Sequence, residues 1–139
     1  MVALLGGPSV MAHPVRTSMD LIRAAAAGVS VKAVRHLQQH MRLTNREMSE
    51  VLSISESTLT RREQKKGSLT RDESEKAIQL SAVVAKGLEV YENEFDLHRW
   101  LQQENPALGG ERPQALLSSA LGREQVREIL GRIQWGIFS

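Results

Sequence analysis

From Ser30 onward the apolar positions recur at three- and four-residue intervals, and a residue able to cap a helix stands before most of the runs. Val31, Val34, Leu37 and Met41 define one helical face, which Ser30 can cap. Thr44 and Glu47 form a capping box: the threonine hydroxyl accepts from the third amide while the glutamate returns to the threonine amide. Two short helices are predicted to follow it. Thr70 and Glu73 repeat the signature and open a longer helix with Ala77, Leu80, Val84, Leu88 and Tyr91 on one side. Asn93 can cap a short helix bearing Phe95 and Trp100. Pro106, Gly109, Gly110 and Pro113 then enforce a loop. Pro113 suits the first turn of a further helix, for which Gly122 serves as a C-terminal stop, and Val126, Ile129, Leu130 and Ile133 stripe the last one. Residues 1–28 mix Gly, Pro and Ala with weak periodicity, which predicts a partly flexible extension with a short helix over residues 21–27. No segment alternates with a period of two, so the expected fold class is all-α.

The stretch LTNREMSEVLSISESTLTRREQKKG, residues 43–67, resembles the helix-turn-helix of the Xre/Cro repressor group. Thr44 caps the first helix, Met48 and Leu52 face inward, Ser53, Ile54 and Ser55 make the turn, and Leu59 anchors the second helix. With Ser55 as its cap, that helix projects Glu56, Ser57, Thr58, Thr60 and Arg61 from its first turns, where a recognition helix meets base edges. Arg61 can donate two hydrogen bonds to guanine and is the strongest single specificity candidate. Arg62, Lys65 and Lys66 are expected on phosphates, and Thr44, Arg46 and Ser55 at helix N-termini that grip the backbone and set register. Two positions depart from the group: Ser49 replaces the usual alanine between the helices, and Ser53 the usual glycine at the turn. Positive φ there costs a non-glycine residue roughly 1 kcal/mol.

Charge supports a split. Residues 1–71 hold eleven Lys and Arg against five Asp and Glu, whereas residues 72–139 hold seven against eleven. A basic half suits a polyanion and an acidic half does not, which suggests two surfaces with two partners. The chain has no cysteine, so disulfides, thiolate metal sites and cysteine nucleophiles are excluded. It also lacks a bilayer-length apolar run and a signal-like start, and a cytoplasmic location is expected. His36 and His40 lie four apart, but HLQQH offers neither the glutamate of a metalloprotease motif nor a third ligand. Ser118 and Ser119 lack a nucleophile-elbow context, and no phosphate-cradling glycine loop is present. No catalytic residue, metal or cofactor is expected, and the chain is read as a binding protein rather than an enzyme.

Two of the five aromatic residues, Trp135 and Phe138, fall in the last five positions, where a chain end usually frays. They either dock on the core or serve a partner. Residues 105–139, NPALGGERPQALLSSALGREQVREILGRIQWGIFS, resemble the hallmark of the MbcA/ParS/Xre antitoxin family. The Asn-Pro-x-Leu-Gly-Gly turn, the x-Arg-Pro helix start, Leu-Gly-Arg-Ile and the Gly-aliphatic-aromatic tail carry the resemblance. It implies an Xre/Cro-like helix-turn-helix unit followed by a small helical toxin-binding domain; with the weak periodicity of residues 1–28 and the charge reversal at residue 72, the expected boundaries are 1–28, 29–71 and 72–139. It implies further a type II antitoxin that covers the active site of a RES-domain, NAD-consuming toxin and represses its own operon, with toxin and operator DNA as partners of a homodimer. The toxin-binding residues would be Arg132, Ile133, Trp135, Gly136, Ile137, Phe138 and Ser139. A stand-alone dimeric helix-turn-helix regulator is the alternative.

Overall fold

The structure, a computed structural model, describes residues 3–5 and 17–136. Seven α-helices run through the described residues: α1 Ser18–Ala27, α2 Val31–Met41, α3 Asn45–Leu52, α4 Glu56–Gln64, α5 Arg71–Val90, α6 Glu94–Gln102 and α7 Ala120–Gln134. Short 3₁₀ turns occupy Ala3–Leu5, Pro106–Leu108 and Pro113–Leu116. The fold is all-α, with a helix-turn-helix followed by further helices. The only strand-like pairing among the described residues is an isolated antiparallel bridge between Ser30 and Ser68. There the Leu69 amide donates to Val29 and the Val31 amide to Gly67, closing the entry to α2 against the exit from α4.

Local chemistry starts nearly every helix. Ser30, Thr44, Ser55, Thr70 and Asn93 all cap through their side chains, and Thr44–Glu47 and Thr70–Glu73 are complete capping boxes. A third box, Thr17 with Asp20, starts α1 three residues earlier than the predicted span. Leu4, Leu5, Ala24 and Ala25 are buried, so parts of the N-terminal stretch belong to the core.

The prediction around Gly122 is corrected. Pro113 opens only a 3₁₀ turn, and Gly122 lies inside α7, whose N-cap is Ser119. Glycine stands there for space: a Cβ at residue 122 would sit 1.8 Å from the Leu116 carbonyl oxygen. The turn at residues 113–116 can therefore press directly on the first turn of α7.

Helix α5, 20 residues and about 30 Å long, is the axis of the molecule. Helices α1 and α7 make its largest contacts, and α2, α3 and α6 also touch it. Leu37, Met48, Leu52, Leu59, Leu80, Leu101, Leu117 and Leu130 are fully buried in one continuous cluster that crosses residue 72. Gly87 brings α6 against α5, since a Cβ there would lie 2.5 Å from a Leu97 methyl. Ser74, wholly buried, accepts from the Val29 amide at 2.8 Å and ties the start of α5 to the N-terminal helices.

Candidate functional site

Helices α3 and α4 meet through Met48, Leu52 and Leu59, and the turn between them follows from two serines. Ser53 ends α3 in the left-handed region (φ 57°), its amide donating to Glu50. Ser49 donates its hydroxyl to the Ile54 carbonyl, so a polar residue sits at the helix contact without an unpaired group. Ser55 then caps α4: its oxygen accepts from the Thr58 amide at 3.1 Å, and its hydroxyl donates to the Thr58 hydroxyl at 2.7 Å. Behind the pair, Gln38 donates to Asn45 (2.8 Å) and to the Leu43 carbonyl (3.1 Å), while Arg35 reaches Glu63 (3.2 Å) and Gln38 (2.7 Å). This network fixes α2, α3 and α4 relative to one another.

The face of α4 turned to solvent carries Glu56, Ser57, Thr60, Arg61, Glu63 and Gln64, with Lys65, the C-cap, and Lys66 exposed at its end. Among the described residues Arg61, Lys65 and Lys66 make no ion pair. Arg62 is placed differently from its neighbours. It is half-buried and bound to Glu73 at 2.6 Å, where it braces α4 against α5. Burial works against the Glu73 charge, but the Thr70 amide and the Arg62 guanidinium outweigh it and hold the carboxyl below its ordinary value. Thr44 spends its hydroxyl and amide on the capping box with Glu47. Among the described residues Arg46 pairs only with exposed Glu50 on its own helix, at 3.3 Å. Thr58 is partly covered.

The other surface lies at the end of α7. Val126, Ile129 and Leu130 are buried and Ile133 is half-buried, as the striping predicts, but Trp135 is 78 % exposed. It is the C-cap of α7, and Gly136 follows with φ 73°. Lys86, Arg127, Glu128, Gly131, Arg132 and Trp135 line an open depression beside α5. Gln134 donates to Glu89 at 3.0 Å and Lys86 pairs with the same carboxylate, which holds the end of α7 on α5. Ile137, Phe138 and Ser139 lie outside the described residues.

Sequence reasoning passed over Arg123. It is 5 % exposed, donates to Gln79 at 2.8 Å and to the Leu117 carbonyl at 3.0 Å, and so joins α7 to α5 and to the preceding turn. Burial lowers its pKa from the usual arginine value. The signal was present: Arg123 is three and seven residues before Val126 and Leu130, on the apolar stripe. His40 meets Glu94 at 2.5 Å, linking α2 to α6.

A capped helix pair whose second helix is exposed and ends on two lysines, joined through one long helix to a helical unit that ends on an exposed tryptophan, defines a helix-turn-helix protein with an appended helical unit. Residues 20–81 match the family model described as the antitoxin Xre-like helix-turn-helix domain, and residues 86–136 match the antitoxin Xre/MbcA/ParS C-terminal toxin-binding domain. The chain belongs to the Xre/MbcA/ParS antitoxin family and is an antitoxin of a toxin–antitoxin pair. It is 26% identical over 130 residues, 87% of this chain and 82% of the relative, to the Prs ADP-ribosylating antitoxin of Sphingobium sp. (strain YBL2). It is 24% identical over 127 residues, 91% of this chain and 86% of the relative, to the antitoxin Xre of Yersinia enterocolitica serotype O:8 / biotype 1B. No helix among the described residues is long and apolar enough to cross a membrane.

Proposed function

We propose that this antitoxin neutralises a RES-domain, NAD-consuming toxin by covering its active site with residues 132–139, and that it represses its own operon through α4. Neutralisation is by binding, without catalysis, and the working unit is a cytoplasmic homodimer within a larger complex. The observation that carries the toxin arm is Trp135, a large ring left in solvent at the end of an otherwise buried helical stripe. Arg132 is exposed beside it. An NAD pocket offers apolar walls to rings and donors to the pyrophosphate, and an aromatic segment beginning Trp135-Gly136-Ile137-Phe138 complements such walls. The name of the Sphingobium relative carries ADP-ribosylation, a chemistry that draws its ADP-ribose from NAD. The DNA arm rests on Ser57, Thr60, Arg61, Lys65 and Lys66, with Glu56 and Thr58 beside them and Thr44, Arg46 and Ser55 at the two helix N-termini. Arg62 contributes by holding α4 rather than by touching phosphate. The division of labour between residues 29–71 and 72–139 is one of surfaces built on a common core.

The test is NAD consumption by the toxin titrated with full-length antitoxin and with a chain lacking residues 135–139. Loss of the two aromatics, with one of them a hot spot worth ~2 kcal/mol, weakens inhibition by about thirtyfold or more, with operator binding kept. Equal inhibition by the truncated chain would remove the tail from the toxin pocket. Intact NAD in the presence of active toxin would remove the RES assignment.

A further inference from the structure

Where α6 meets the end of α2, the ring of Phe95, 57% exposed, carries two guanidinium groups: Arg42 at 5.1 Å from its centroid and Arg99 at 5.8 Å. Both arginines are exposed, and among the described residues neither forms an ion pair. The acidic groups on α6 are otherwise engaged. Glu94 is held by His40 at 2.5 Å, and Asp96 accepts from the Asn93 side chain at 3.1 Å. Two like charges are thus seated on one aromatic ring, and among the described residues no carboxylate pairs with either, which leaves both guanidinium groups available to an outside anion.

Its position points to the anion. Arg42 occupies the left-handed C-cap of α2 (φ 57°), and its Cα lies within about 7 Å of Thr44, the N-cap of the first helix of the helix-turn-helix. That N-terminus is where a helix-turn-helix meets the sugar-phosphate backbone. Helix α6 is pinned there, because His98 Nδ1 lies 3.1 Å from the Met41 carbonyl and Gln114, itself bonded to Gln102, donates to Glu47 at 3.2 Å.

We propose that Arg42 and Arg99, organised by Phe95, form a phosphate clamp through which the toxin-binding half extends the DNA footprint of the helix-turn-helix. The inference rests on the DNA-binding reading. Arg99 belongs by sequence to the acidic half, and the fold carries it to the basic side.

The experiment measures binding of the full chain to a short mixed-sequence duplex by fluorescence anisotropy over a salt series. The variants are Arg42→Gln, Arg99→Gln, the double variant and Phe95→Leu, each checked for helicity and melting temperature, with Lys65→Ala as reference. Each arginine variant is expected to lower the slope of log K against log salt by about 0.9, and the double variant by about twice that. Phe95→Leu is expected to keep the slope and bind several-fold more weakly, since both charges remain but lose their common seat. If the double variant keeps the wild-type slope while Lys65→Ala lowers it, the clamp is overturned and the DNA reading stands. If the duplex binds neither wild type nor Lys65→Ala in a salt-dependent way, both fall. Unchanged DNA binding with loss of toxin inhibition would overturn the clamp and assign the two arginines to the protein partner.

Discussion

Arg61 and Lys65 stand one helical turn apart on the exposed side of α4, and their chemistry separates two kinds of contact. The guanidinium is a rigid fork that can pair with one guanine edge, whereas the ammonium is a point charge on a flexible stem. Arg61→Ala is expected to lower the preference for operator over mixed-sequence duplex by about tenfold, in line with the ~1–3 kcal/mol of a bidentate base contact. Lys65→Ala is expected to weaken both DNAs alike and to reduce the salt slope by about 0.9. Titrations at fixed salt check the pair, and equal operator affinity of wild type and Arg61→Ala would refute the assignment. The neighbouring Arg62 shows what residue type alone does not reveal. It has the same side chain and lies one position on, yet it is turned inward to Glu73 by the 100° step of the helix. Ser49 and Ser53, the two departures from the motif, each complete a hydrogen bond at the turn, Ser49 through its hydroxyl and Ser53 through its amide.

Among elements, the capping boxes link helix starts to acid stability. The Glu47 carboxyl is held below its ordinary value of 4.5 first by the Thr44 amide, against the opposing effect of burial, with Gln114 adding a donor. Glu73 is lowered as well, with Thr70 and Arg62 overcoming desolvation. In the unfolded chain both groups titrate near 4.5, so below that value the unfolded state takes up protons that the folded state resists. Stability from these groups is full above about pH 4.5 and is lost as pH falls through their folded values. Melting temperature is therefore expected to drop on acidification from that point. The double variant Glu47→Gln/Glu73→Gln should start lower and follow a shallower acid limb in thermal melts by circular dichroism. An unchanged limb would place the acid sensitivity elsewhere. Helices α3 and α5 were legible because their caps and apolar stripes are local in sequence. The start of α7 was not, because the role of Gly122 is set by the Leu116 carbonyl, a partner met only through the turn before the helix.

For the whole molecule, the contrast between a basic and an acidic half describes surfaces but not cores. The buried cluster continues from Val31 and Leu37 through Leu80 to Leu117 and Leu130. Helix α5 supplies Ser74 to the Val29 amide, Glu73 to Arg62 and Lys76 to the Leu52 carbonyl at 3.3 Å. A fragment ending at Arg71 loses all three together with the apolar face of α5. It is expected to show little helix by circular dichroism and no sharp melting transition, while the full chain melts cooperatively. A well-dispersed, cooperatively melting fragment 1–71 would demonstrate an independent N-terminal core. DNA binding and toxin binding are thus expected to share stability while using separate faces.

Sequence alone determined the helices with strong local signals, the helix-turn-helix and its exposed second helix, and the family to which the C-terminal turn and tail point. These depend on cap chemistry and on a periodicity of 3.6, both written within a few residues of one another. Tertiary structure decided the rest: Arg62 facing Glu73, Arg123 joining α7 to α5 and the Leu117 turn, Trp135 left in solvent, and Arg42 and Arg99 each seated against the Phe95 ring. Each depends on contacts between residues distant in the chain, or on the absence of such contacts, and so on how the faces of α5 and α6 are shared among their neighbours.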